Sequence, residues 1–315
     1  MAGGCGGDDD NGDNASNPPP EARPDQFPRA TGRTLAELRR DLPEGGPVLA
    51  PTVSQFVTGK NRLGFGLFTA ARAQIADARA AVYVAPVGGG EAQGPFVAHY
   101  QSLAVKSPFL SKTTESDPDA AKTLYVADVP FKKPGKYEVL GMARLDDRLV
   151  AATSATPQLV VVSKKDDPVP SVGESPPAIH TPTVADAAGN LASIDTRQPP
   201  ARELHETDFA DELGKKPMVL VFATPLLCQS RVCGPVVDIA LQLQAKYRDQ
   251  VDFIHMEIYN DNEVAKGARP QVGAFHLPSE PWLFTIDKQG KIAARVEGAF
   301  SADELEAAIK KALKD

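Results

Sequence analysis

The stretch "LLCQSRVCGPVVD", residues 226–238, holds two of the three cysteines of this 315-residue chain. It follows a continuous apolar run, "MVLVFAT" (218–224), and leads into a segment with apolar residues at helical spacing, 235–247. Four residues separate Cys228 from Cys233. In a regular helix, residues five apart stand roughly 8–9 Å apart between Cα atoms. A disulfide needs about 4.4–6.8 Å. A bonded pair therefore requires 228–233 to be irregular. Pro235 suits the first position of a helix, where its missing N–H costs nothing, so the helix is expected to start there. Both cysteines then lie on the loop entering it. Cysteines beside a helix start are stabilised as thiolates by the unpaired N–H groups and the dipole, and Arg231 between them adds positive charge.

Outward from this stretch, the pattern is strand, helix, strand (251–259), hairpin, helix. "PWLFTID" and "KIAARVE" flank the turn "KQG", and Ser301 and Glu304 form a capping box for a last helix over 301–313. The motifs "VGESPP" (172–177), "KKPMVLVFATP" (215–225), "CGPVVDIA" (233–240) and "EPWLFTIDKQGKI" (280–292) together resemble thioredoxin-like proteins, membrane-anchored ones in particular. Residues 172–315 are thus expected to form an α/β thioredoxin-like fold. The resemblance implies a thiol–disulfide oxidoreductase with Cys228 and Cys233 as the catalytic pair. It also implies a cis bond at Glu280–Pro281, in a loop facing the cysteines. Arg231, Glu280, Pro281 and Trp282 are the expected substrate contacts.

The chain departs from the family in its spacing. Thioredoxins place two residues between the cysteines, and Val236 stands where their second cysteine would be. Atypical two-cysteine peroxiredoxins use the wider spacing, but Thr224 stands one position too early for their motif. The first attacker remains open between Cys228, the more exposed on a loop, and Cys233, which aligns with the nucleophile of Cys-Gly-Pro.

Residues 46–163 differ in texture. Short apolar runs rich in Val, Tyr and Phe, such as "AAVYVAP" (80–86) and "KYEVLGMARL" (136–145), are broken by "VGGGEAQG" and "KKPGK". About seven strands without helices predict an all-β sandwich resembling the immunoglobulin type, with Tyr137 entering the core. This segment has no Cys and one His, His99, and is assigned a spacer or binding role. Residues 164–171, rich in charge and proline, are expected to be a linker.

Residues 1–45 begin "MAGGCGGDDDNGDNASNPPP" and are expected to be a disordered tether. Cys5 follows small residues, as the lipidated cysteine of a bacterial lipoprotein does. An extracytoplasmic protein held at the membrane by a lipid anchor alone is therefore expected. A net charge of −7 argues against nucleic-acid binding, which needs a basic footprint. No cofactor is expected, and the partners are protein thiols, disulfides or a redox protein. Two alternatives are a copper or other metal chaperone, with His276 joining the cysteines, and a non-enzymatic surface-binding lipoprotein.

Overall fold

The computed structural model describes residues 21–146, 148–156 and 158–314. Cys5 lies outside them. Residues 21–45, expected to belong to a disordered tether, instead carry structure. A single turn at Pro24–Gln26 is followed by α1 (Leu35–Arg39), capped by Thr34. Ala22, Phe27, Ala30 and Leu38 are buried against Ala81, Tyr83, Leu140 and Met142. These few apolar residues, spread through a polar stretch, find a sheet face that only the folded chain supplies.

Nine strands follow: β1 (Val48–Pro51), β2 (Phe56–Val57), β3 (Gly59–Phe68), β4 (Arg79–Pro86), β5 (Gln93–Ser102), β6 (Thr123–Phe131), β7 (Gly135–Leu145), β8 (Arg148–Ser154) and β9 (Leu159–Val162). A short helix, α2 (Lys112–Glu115), lies in the connection from β5 to β6. The strands form one sheet in the order β2-β9-β7-β4-β5-β6-β3-β1-β8, and β8 pairs back onto β7. The expected sandwich of two sheets is therefore corrected to a single sheet closed as a seven-stranded barrel, with β9 attached to β7 and β2 to β9. Closure depends on β1 pairing antiparallel with β3 and parallel with β8. Such distant pairings leave no trace in local alternation, whereas closure removes exposed edges. Inside, Phe65 stacks on Tyr125 at 5.7 Å and Phe131 meets Tyr137 edge-on at 4.8 Å. Tyr137 enters the core as expected.

The rest of the chain adds α3 (Phe209–Glu212), β10 (Met218–Phe222), α4 (Cys233–Tyr247), β11 (Asp252–Met256), α5 (Pro270–Ala274), β12 (Trp282–Ile286), β13 (Ile292–Glu297) and α6 (Ala302–Ala312). The second sheet runs β11-β10-β12-β13. β10 is parallel to β11 and antiparallel to β12, and β12–β13 is the expected hairpin. Every residue of β10 is buried, which explains its unbroken apolar run. Ser301 and Glu304 form the capping box of α6. Strand, helix, strand, hairpin and helix thus occur in the order read from the sequence.

The two sheets are not separated by a free linker. Val169 is buried among Phe209, Met218, Phe284 and Ile292. Arg295 pairs with Asp167 and donates to the carbonyl of Val169 at 2.7 Å. Leu103 and Leu124 of the barrel belong to the same apolar cluster as Cys233, Val236 and Ile239. Arg62 of β3 forks onto Glu304 at 2.7 and 2.9 Å and donates to the Ala299 carbonyl. Among the described residues, no helix is long and apolar enough to cross a membrane.

Candidate functional site

β10 delivers the chain from the middle of the small sheet into the loop 223–232, and α4 takes it away. Cys228 and Cys233 are joined as a disulfide, with Cα atoms 5.9 Å apart. The bond is possible because the loop is irregular: Arg231 adopts φ 59°, turning the chain back toward Cys228. The helix starts two residues earlier than expected. Cys233 is its first residue and Pro235 its third. Proline fits there too, since the first-turn N–H groups have no partner within the helix. The cysteines are thus not both on the loop. Cys233 is held at the helix N-terminus, where a thiolate is stabilised by the unpaired N–H groups and the dipole.

The glycine after Cys233 answers to a neighbour. A Cβ on Gly234 would stand 2.8 Å from Thr114 Oγ1. Thr114 belongs to α2, so the barrel's β5–β6 connection lies directly over the start of α4. Polar contacts from three of its residues pin this connection. The Ala121 N–H donates to the Arg231 carbonyl at 3.0 Å. Ser111 donates through its N–H and hydroxyl to Asp238 of α4, at 3.1 and 3.0 Å. Arg197, buried and paired with Asp238 at 2.8 Å, donates to the Phe109 carbonyl. The exposed disulfide expected of a loop is therefore covered: Cys228 is 4% exposed and Cys233 0%. Arg231 is likewise committed, its guanidinium paired with Asp117 at 3.2 Å rather than free to face a thiolate.

The Glu280–Pro281 bond is cis. The loop before β12 carries Glu280 to the disulfide, and one of its carboxyl oxygens lies within 4.8 Å of both sulfurs. Glu280 Oε2 is buried without a hydrogen-bond partner. Burial, and secondly the charge of Glu257, push the Glu280 carboxyl up to about 7. Glu257 is itself buried and accepts the Thr196 N–H at 2.6 Å. Sequence reading named Glu280 as a substrate contact. The structure makes it the ionisable group beside the sulfurs, a role with no signal in local sequence because its burial is tertiary.

Trp282 is not placed to touch a substrate. It is 1% exposed, stacks on Phe284 at 5.9 Å and donates to Ser279 Oγ at 3.2 Å. Alternation along β12 could have shown this, since it shares a face with the apolar Phe284. Pro281 is also buried, and its carbonyl accepts the Gly298 N–H at 2.8 Å. His276 is exposed, at φ 55° past the end of α5, and the group of metal-type donors at the cysteines contains Glu280 instead. The chaperone arrangement with His276 is not formed.

No family model matches this chain, and no curated protein matches it. Among solved structures, a protein described as the thiol:disulfide interchange protein DsbE of Chlorobium tepidum aligns at 18% identity with a TM-score of 0.33, over 46% of this chain and 99% of its own. A thioredoxin-like superfamily protein aligns at 20% identity with a TM-score of 0.28, over 35% of this chain and 87% of its own. Both are similarities to part of the chain, and the chemistry of the site rests on its own residues.

Proposed function

We propose that this chain is an extracytoplasmic thiol–disulfide oxidoreductase that works through Cys228 and Cys233. The observation that carries the reading is a titratable carboxyl, Glu280, beside a disulfide whose second cysteine heads a 15-residue helix. In the reduced protein, Glu280 takes the proton of the attacking thiol. The thiolate attacks a substrate disulfide, forming a mixed disulfide and releasing one substrate sulfur as a thiol after protonation. The other cysteine of the pair then attacks the mixed disulfide, closes the Cys228–Cys233 bond and frees the second substrate sulfur. Two electrons and two protons pass to the substrate, and the reverse sequence oxidises it. Cys228 is the better first attacker, being the less buried residue of the pair, while Cys233 is fixed in α4 and suited to resolve. Displacement of the β5–β6 connection admits the substrate. Lipidation of Cys5 would hold the protein at the membrane face.

The test is exchange with a disulfide-bonded model peptide, followed by mass spectrometry after acid quenching. The expected trapped species in a Cys233→Ser variant is a mixed disulfide at Cys228. A pair that stays oxidised in excess dithiol, with no trapped peptide in either single-cysteine variant, would leave only a structural staple.

A further inference from the structure

Below the disulfide loop lies a second cluster that the redox chemistry does not use. Asp195 and His205 come from the segment preceding β10, and His255 from β11. All three are almost wholly shielded from solvent. His205 Nε2 stands 3.4 Å from one oxygen of Asp195, and His255 Nδ1 stands 3.5 Å from the other. Neither approach is a hydrogen bond. Both ring nitrogens of His205 and the Nδ1 of His255 are buried without a hydrogen-bond partner, and the charge nearest to each ring is the Asp195 carboxylate. Orphaned buried polar atoms are rare in folded proteins, and each costs about 1–3 kcal/mol.

The surroundings orient these groups as donors to a common point. His255 donates its Nε2–H to the Ala223 carbonyl at 3.0 Å, which turns Nδ1 toward Asp195, where it can ligate a metal once its proton is lost. The Asp195 carboxylate is held by two backbone N–H groups, from Arg197 at 2.8 Å and from Ala201 at 2.7 Å. A ligating histidine whose other nitrogen is fixed by a carbonyl, and a ligating carboxylate that is itself hydrogen-bonded, are the usual supports of a metal centre. One donor atom from each residue lies within 4.8 Å of the others. Tetrahedral coordination at about 2.0–2.2 Å sets donor atoms about 3.4 Å apart. His205 and His255 stand 3.4 and 3.5 Å from different oxygens of Asp195, so the carboxylate must turn one oxygen toward both rings to meet it.

We propose that Asp195, His205 and His255 form a buried site for one divalent metal ion of the zinc type. Two imidazoles and a carboxylate without sulfur favour zinc-like ions over soft cuprous copper. The ion ties the segment 195–205 to β11. It sits under the redox loop, because Ala223 holds His255 and the Leu226 N–H donates to Thr196 Oγ1 at 3.1 Å, next to Asp195. The role is structural support of the loop's base, and it does not depend on the oxidoreductase reading.

The test uses the full chain, refolded with the disulfide intact in Zn2+ or Co2+ and then desalted. Metal analysis is expected to return about one equivalent. The Co2+ form should show visible ligand-field bands without the sulfur-to-cobalt charge-transfer bands of thiolate ligation, and either ion should raise the melting temperature. His205→Gln removes a ligand and is expected to lower retained metal at least tenfold, since mutating even the outer-shell supports of a metal site costs about 10–100-fold in affinity. The double variant Cys228→Ser, Cys233→Ser should keep the equivalent, which separates this site from metal bound at the cysteines. A folded wild-type chain that retains neither ion and melts at the same temperature with and without them overturns the proposal. Retention lost in the cysteine variant does so too.

Discussion

One carboxyl oxygen of Glu280 stands within 4.8 Å of the Cys228 sulfur, in a site where Glu280 Oε2 has no hydrogen-bond partner. A carboxyl that ionises near 7 in the fold, against 4.5 when unperturbed, binds more protons folded than unfolded between those values. Stability is therefore full below about pH 4.5 and is lost as pH rises through 7. Glu280→Gln should remove this loss, which after allowance for solvent screening is of the order of 2 kcal/mol at pH 8. Urea unfolding of both proteins at pH 5 and pH 8 measures it. In the same variant, thiol–disulfide exchange should lose its step near pH 7.

Cys233 at the first position of α4 is expected to titrate below the free value of about 8.5 once the disulfide is reduced. Thiolate absorbance against pH in the Cys228→Ser variant reports this directly. Titration at or above the free value would mean that burial outweighs the helix start.

The contact between Gly234 and Thr114 makes a gate testable. Gly234→Ala should push the β5–β6 connection off the start of α4 and speed reduction of the disulfide by dithiothreitol. Asp117→Asn, which weakens an exposed ion pair worth up to about 1 kcal/mol, should speed it by no more than about fivefold. Unchanged rates in both variants would show that the cover does not limit access.

Glu297 binds the two sheets together. From β13 it accepts the Ser54 N–H and hydroxyl, the Gln55 N–H and the Ser279 hydroxyl, at 2.6–2.9 Å. Glu297→Ala leaves these donors unpaired and should cost about 2–4 kcal/mol. The wild-type chain should melt in one transition followed equally by barrel and small-sheet probes. Two separate transitions would refute this coupling.

Cys5 is expected to be the lipidated first residue of the mature protein. Mass spectrometry of the native N-terminus decides it: an unmodified Cys5 behind an intact Met1 would end the anchor reading.

Local chemistry was enough for the elements of the small sheet. The unbroken apolar run of 218–224 and the helical spacing after Pro235 record burial as a periodic pattern along the chain, and the capping box of Ser301 and Glu304 is a contact within a few residues, so all three are written in the chain. The disulfide partners were legible for the same reason, being five residues apart. What the folded chain alone decided is long-range. Closure of the barrel depends on β1 meeting β8, and the covering of the cysteines on Thr114 meeting Gly234. The high titration of Glu280 requires burial beside Glu257, and the cluster of Asp195, His205 and His255 joins side chains from across two segments. Burial and charge proximity depend on distances in space, and residues far apart in sequence carry no local pattern that records them.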